Sequence, residues 1–345
     1  VPGPTPTGGS RPTTLADVAA RAGVAVSTVS RALSNPTRVN VRTRERVEQA
    51  ARELDYTANP SARALSSGRT GAVAVLVSDV TNPFYFDIIR GSQQQLKNAG
   101  VTQLLVDTEE SAEVEASLLA TLQRSCDGAI LTSTRLSDSR LDQLAASMNL
   151  VTINRPRRGI GSVVLDTAQG MEQAVEHLVS LGHRRIVYVS GPKGSWSNER
   201  RWRAVHRAAR RLGADVVRTR DFPPRSDSGT GAADAVLNTR ATACIAYNDV
   251  VAIGMLARLA ERGVAVPEDL SVVGCDDIFG ADFCHPPLTT VTAPVEHAGR
   301  VATSILLSGS ASGGPATAGR TPGSSAVLPT HLTVRRSTGA PRAAR

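Results

Sequence analysis

Aromatic residues make up only 3% of this 345-residue chain, and cysteine occurs four times, at Cys126, Cys244, Cys275 and Cys284, never in C-x-x-C spacing. That scatter indicates neither a zinc site nor a disulfide framework. The six histidines form no metal pair, and His177 and His183, flanking one helix end, read as structural, so no metal and no cofactor is expected. No G-x-G-x-x-G follows the first β-like run, no P-loop is present, and GPKGS at 191–195 has the spacing of neither. Enzymatic catalysis therefore finds no support. No apolar run approaches a membrane span, and the Pro/Gly/Thr-rich first twelve residues carry no signal-peptide core, so no membrane partner and a cytoplasmic location are expected.

What the chain does have is an uneven charge. Residues 1–69 hold ten Arg against five Asp or Glu, and so supply most of the net +8. A cationic head of this kind suits a polyanion, because neutralised phosphates release counterions. Its pattern is helical. Thr14 can cap a helix whose inward face is Leu15, Val18 and Ala19, and Gly23 stops it. A second helix over about 26–33 turns Val29, Ala32 and Leu33 inward and leaves Ser27, Thr28, Ser30 and Arg31 on the other face. After Asn35 and Pro36, Asn40 can cap a third helix with Val47, Ala50, Ala51 and Leu54 inward. Any small helical domain shows such spacing; the positive charge favours DNA over a merely solvated surface.

Asn59 and Pro60 then look like a helix start and Gly68 like a stop, leaving barely two turns between them. A helix so short is marginal in water and forms only when something packs on it; a linker is the plainer reading. From Gly71 onward, β-rich runs at 72–77, 103–107, 128–132, 150–154, 185–190 and 243–248 alternate with helical segments. Such alternation predicts parallel sheets with crossover helices, and the length suffices for two domains.

TLADVAARAGVAVSTVSRAL, TRERVEQAARELDY and NPSARAL, with SDVTNPFYFDIIRG at 78–91, EHLVSLGHRRI at 176–186, YNDVVAIGML at 247–256, SVVGCDD and PPLTT, together resemble the lactose repressor (LacI/GalR) family of bacterial transcription regulators, from about Thr13 to Val334. The resemblance implies an N-terminal all-α helix-turn-helix head plus an α/β bilobed, periplasmic-binding-protein-like effector domain made of two Rossmann-like subdomains. The implied boundaries are a disordered tail at 1–12, the head at 13–58, a hinge helix at 59–70, the effector and dimerisation domain at 71–336, and a disordered tail at 337–345. Within the large domain, about 71–165 and 292–323 form one subdomain, and 166–291 with a last strand near 326–336 form the other. Residues 308–324 read as a flexible loop. No leucine heptads mark a tetramerising helix, so a homodimer is the expected assembly.

By the family pattern the second helix enters the major groove. The expected DNA contacts are Thr14, Val26, Ser27, Thr28, Ser30 and Arg31 in the head, and Asn59, Ala62, Arg63 and Leu65 in the hinge. Arg31 can pair with both guanine acceptors or hold a phosphate, whereas Val26 can only touch apolar surface such as a thymine methyl. Leu65 takes the position of a minor-groove wedge, and Ala62 and Ala64 are small enough for two such helices to meet at a pseudo-palindromic operator.

In such sheets ligands lie beyond the carboxyl ends of the strands, which makes Asp79, Asn82, Phe84, Thr132, Asn154, Asn248 and Asp276 candidate effector contacts. The family adds Arg201, although Ala204 departs from the Gly that many relatives carry three residues later. Phe222 is a candidate stacking wall. Amides, carboxylates and a guanidinium suit a sugar or similar polyol; a purine or phosphosugar effector, and a sugar-binding protein without DNA regulation, stand as alternatives. Each Asn or Asp also has a plainer reading as a turn or helix cap. The resemblance further implies that effector binding changes the tilt of the first subdomains across the dimer and so controls hinge pairing, as inducer or as corepressor.

Overall fold

The computed structural model describes residues 13–34, 38–56, 69–310 and 324–342. The chain divides into two units, Val1–Thr70 and Gly71–Arg345.

The small unit is three helices, α1 (Leu15–Ala22), α2 (Val26–Ser34) and α3 (Val41–Glu53). Its ends are set by local chemistry. Thr14 and Asp17 form a reciprocal capping box, Thr14 N donating to the Asp17 carboxylate at 2.8 Å and Asp17 N donating to Thr14 Oγ1 at 3.4 Å. Gly23 ends α1 at φ +66°, a left-handed conformation in which a Cβ is costly. Asn40 caps α3 by accepting from Arg42 N at 3.0 Å. Val18, Val29 and Val47, one from each helix, are fully buried together with Ala19, Ala22, Ala32 and Ala50. Thr13 Oγ1 donates to Leu54 O at 3.0 Å and closes the bundle.

The large unit contains two sheets. In the first lobe, β1 (Ala72–Val77), β2 (Thr102–Asp107), β3 (Gly128–Thr132), β4 (Leu150–Ile153) and β5 (Gly161–Leu165) are linked through α4 (Phe84–Asn98), α5 (Ala112–Leu122) and α6 (Asp138–Ala145). The second lobe follows with α7 (Thr167–Ser180), β6 (Arg185–Ser190), α8 (Trp196–Arg211), β7 (Asp215–Asp221), α9 (Ser228–Leu237), β8 (Ala243–Ala246), α10 (Asp249–Glu261), β9 (Ser271–Asp276) and β10 (Thr289–Thr292). Helix α11 (Val295–Ser310) returns to the first lobe, and β11 (Ser325–Leu328) and β12 (His331–Thr333) end the fold. Strand order is β11-β5-β4-β3-β1-β2 in one sheet and β12-β10-β9-β8-β6-β7 in the other. Every pairing is parallel except β10 with β12. Apolar clusters cover both faces of each sheet, which is why the central strands are nearly continuous runs of Val, Ile, Leu and Ala.

Two expectations about the end of the chain are corrected. The last strand region does not belong wholly to the second subdomain: β11 pairs with β5 from Ser325 against Ser162 to Leu328 against Leu165, and only β12 joins the second sheet. The short Pro329–Thr330 link carries the chain from one lobe to the other. Residues 337–342 are not a disordered tail either. Ser337 is fully buried, donating to Val272 O at 2.6 Å and accepting from Thr289 N at 2.8 Å, and Gly339 N donates to Ser271 Oγ at 3.0 Å. His183 completes the clamp, with Nε2 2.9 Å from Gly339 O and Nδ1 2.7 Å from Thr242 Oγ1. Small polar residues that look like a linker in sequence here replace one another's water with specific partners. The expected tail at 1–12, residues 343–345, most of the hinge (57–68) and most of the loop at 308–324 lie outside the described residues.

Candidate functional site

Helix α2 presents the polar face anticipated for it. Val29 and Ala32 are buried against α1 and α3, so Val26, Ser27, Ser30 and Arg31 are exposed and Thr28 half-exposed. Val26 is 46% exposed at the first turn, an apolar group with nothing of its own unit to cover it. Thr14 is occupied as a cap, its hydroxyl 2.7 Å from the Asp17 carboxylate. Asn59, Ala62, Arg63 and Leu65 lie outside the described residues.

In the large unit a cavity of about 830 Å³ lies between the lobes. Of the nine anticipated effector contacts, Asp79 and Phe222 line it. Phe222 is itself only 3% exposed, and the other seven are buried as well; the side-chain oxygens of Asn82, Thr132, Asn154 and Asn248 are engaged by protein. Asn82 accepts from Phe84 N at 3.1 Å, while Phe84 packs edge-on to Tyr85 in the first-lobe core. Thr132 Oγ1 donates to Leu76 O at 2.7 Å. Asn154, at φ +59°, accepts from Leu165 N at 3.0 Å and ties β4 to β5. Asn248 caps α10 through Val251 N at 3.1 Å.

Arg201 and Asp276 meet as a buried ion pair at 2.8 Å, 3% and 8% exposed. The guanidinium also donates to Tyr247 O at 2.5 Å and Thr167 Oγ1 at 3.2 Å, and lies 4.9 Å from the centre of the Tyr247 ring. Burial works against the Arg201 charge, yet the acidic groups around it, Asp276 among them, hold its pKa above the ordinary value. For Asp276, burial outweighs the pull of Arg201 and pushes the carboxyl upward.

Beside this pair Asp249 is fully buried, accepting from Thr290 Oγ1 at 2.6 Å and from Ile278 N at 3.0 Å. Burial, then the charge of Asp276, pushes its pKa up to about 7, with the two hydrogen bonds opposing. Because the folded value exceeds the unfolded one, the folded protein holds a proton that the unfolded chain releases. The associated stability is complete below about pH 4 and is lost as pH rises through about 7. Between pH 5.5 and 8 the loss should be about 2 kcal/mol. Asp249→Asn can keep both bonds by donating to Thr290 and accepting from Ile278, so it should flatten that slope. Urea unfolding of both proteins at the two pH values tests this; parallel profiles would show that Asp249 does not titrate there.

Arg135, Glu110, Asp107, Asp221 and Tyr247 stand at or beside the cleft without being among the expected contacts. Arg135 binds Glu110 through Nη2 at 2.5 Å and Nε at 2.9 Å, and donates to Ser133 O at 2.9 Å. It stands three residues beyond β3, and Tyr247 one beyond β8, so the rule that selected Thr132 and Asn248 reaches both. Among the described residues no group of three or more His, Cys, Asp or Glu side chains is placed to hold a metal ion, and no helix is long and apolar enough to cross a membrane.

Comparison with known proteins matches residues 14–59 to the model of bacterial regulatory proteins, lacI family, and residues 175–338 to a periplasmic binding protein-like domain. The HTH-type transcriptional repressor CytR of Escherichia coli (strain K12) is 34% identical over 304 residues, covering 85% of this chain and 89% of that protein. The lac repressor dimer bound to operator and the anti-inducer ONPF is similar in structure with a TM-score of 0.82, at 27% identity, covering 96% of this chain and 100% of that one. A complex of the transcriptional regulator CelR with cellobiose gives a TM-score of 0.69 at 31% identity, covering 94% and 99%. With a capped three-helix head and a two-sheet α/β domain in one chain, the protein belongs to the LacI family of DNA-binding bacterial transcription regulators.

Proposed function

We propose that this regulator is a cytoplasmic repressor that binds a pseudo-palindromic operator as a homodimer, through α2 and a hinge at about 59–70, and that a small polyhydroxyl effector held between the lobes of the large unit changes its affinity. The exposed face of α2 carries the reading. Its residues are held rigid from behind by the Val18, Val29 and Val47 seam, in a unit rich in Arg, so they can meet base edges without reorganising. The cavity between the lobes, and the sugars named with related structures, support an effector of the polyol class. Thr14, Thr28 and Ser30 then serve as phosphate-side contacts, Arg31, Ser27 and Val26 face bases, and Asn59, Ala62, Arg63 and Leu65 act in the hinge.

The test is selection of a preferred site from random double-stranded DNA, followed by measurement of Arg31→Ala on that site and on unrelated DNA. One bidentate base contact corresponds to about 5–150-fold in specific affinity. The unrelated DNA should lose only the small share due to one charge. Equal losses on both DNAs would make Arg31 a phosphate contact. Failure to enrich any sequence would overturn the regulator reading.

A further inference from the structure

Helix α8 carries six arginines, and their surroundings divide its surface into sides of different character. Arg201 turns inward to Asp276. Arg200, Arg207 and Arg211 lean toward α7, where Asp166, Glu172 and Glu176 pair with them at 3.2, 2.5 and 2.8 Å. Arg203, His206 and Arg210 stand apart from these. Spaced i, i+3 and i+7, they form one exposed stripe about 10 Å long, in which neither arginine has an ion pair among the described residues. Half-buried Trp202 lies along the stripe, its ring 5.3 Å from that of His206 and 5.6 Å from the guanidinium of Arg218 on β7.

The stripe runs on to the amino-terminal edge of the second sheet, the end opposite the cleft. Arg184 and Arg185 lead into β6 and Arg240 precedes β8; all three are exposed and without an ion pair among the described residues. Backbone bonds bring these segments together, Asp215 N donating to Arg184 O at 2.8 Å and Thr242 N to Arg185 O at 3.3 Å. A cation in the last turn of a helix offsets its dipole, which accounts for Arg210. It accounts neither for Arg203 in mid-helix nor for the loop arginines. Five guanidiniums thus project from one face and repel one another, with the exposed Asp215 set among them unpaired. Such a face gains when a partner brings the missing carboxylates, and arginine beside tryptophan is the pairing that dominates protein interfaces. A nucleic-acid backbone suits it less well: its evenly spaced phosphates would also pass the carboxylates of Glu172, Glu176 and Asp215. A polypeptide places its acids singly and can lay an apolar side chain on Trp202.

We propose that this end of the second lobe is a docking surface for an acidic segment of a partner protein. Arg203 and Arg210 are its principal cations, Arg184, Arg185 and Arg240 extend it, and Trp202 is its apolar anchor. Because the cleft opens at the carboxyl ends of the strands, a segment seated here leaves the cleft free.

The test uses the full chain at low salt, with unrelated duplex DNA in excess to occupy the cationic head. Anisotropy is followed with a fluorescein-labelled peptide of alternating Glu and Ala, with its Gln and Ala counterpart, and with a labelled single-stranded oligonucleotide of similar length. The Glu peptide is expected to bind saturably and at least about tenfold more tightly than the Gln peptide, with an affinity that falls as salt is added. Arg203→Glu combined with Arg210→Glu should weaken it by at least about tenfold. Both positions are exposed and unpaired, so the thermal unfolding of that variant should match the parent. Arg124→Glu combined with Arg158→Glu, at exposed positions on the first lobe, changes the net charge equally and should alter binding by less than about twofold. Equal losses in the two double variants would reduce the effect to net charge and overturn the inference. It also fails if the Gln peptide binds as well, if the oligonucleotide binds this face more tightly than the Glu peptide, or if no saturable binding is seen. None of these results bears on operator selection, so the regulator reading stands or falls by its own test.

Discussion

Asp276→Ala is expected to destabilise the large unit by about 3–5 kcal/mol, the usual cost of removing one partner from a buried ion pair. In a domain of this size that corresponds to a fall in melting temperature of roughly 10 °C. The loss arises from what is left behind. Arg201 would keep its charge in a site 3% exposed, with Thr167 and Tyr247 O as acceptors and no counter-ion. Backbone adds to it, because Asp276 sits at φ +115°, a region that Asp and Asn tolerate better than Ala. Two companions separate the contributions. Asp276→Asn keeps an acceptor and the backbone tolerance, and should lose less. Arg201→Met combined with Asp276→Asn removes both charges and should recover much of the deficit, since a buried pair contributes little beyond an uncharged replacement. Urea denaturation of these four proteins and of Arg201→Met alone completes the cycle, and an Asp276→Ala variant within about 1 kcal/mol of the parent would show that the pair does not hold this turn.

The second large effect belongs to Gly274→Ala, a change of one methyl group. A Cβ at Gly274 would lie 2.0 Å from Asp249 Oδ1 and 2.8 Å from Leu288 Cδ2. Neither the strand nor the carboxylate can retreat. Gly274 pairs with Thr290 in the neighbouring strand, within a β9 flanked by β8 and β10, and Asp249 is fixed by Thr290 Oγ1 at 2.6 Å and Ile278 N at 3.0 Å. Overpacking a well-filled core costs about 1–3 kcal/mol, and unseating a hydrogen-bonded buried group adds about 1–3 more, so a loss of about 4 kcal/mol is expected. Asp249→Ala in the same chain opens the space that the new methyl needs. The double variant should therefore be more stable than the sum of the two single losses predicts. Strict additivity would mean that the clash is relieved elsewhere.

How far the fold can be read from the chain depends on how local each signal is. Thr14 as cap and Gly23 as stop depend on residues within a turn of each, and Val18, Val29 and Val47 each follow from the apolar period of their own helix; all stand in the structure as anticipated. The central strands were legible because a run buried on both faces has to be apolar. Edge strands lack that constraint: β7, with the sequence DVVRTRD, is half charged, and β11 has only four residues. Ser337 and Gly339 looked like a tail because nothing nearby in sequence announces His183 and Ser271 as their partners.

The candidate site was legible by address rather than by contact. Polar residues after strands do gather at the carboxyl ends of the sheets. Whether each faces the cavity or turns back onto protein is a competition among partners far apart in the chain. Asn82 and Asn248 are taken by helix ends, Thr132 by a neighbouring strand, and Arg201 by Asp276, 75 residues away. The amino-acid sequence alone determined the family, the basic helical head and the alternating α/β domain, because caps, hydrophobic period and charge act over a few residues. Only the tertiary structure decided that Tyr247 covers Arg201 and that the open cleft is walled by Asp79, Asp107, Glu110 and Phe222, because hydrogen-bond partners and exposure are settled when distant strands are brought side by side.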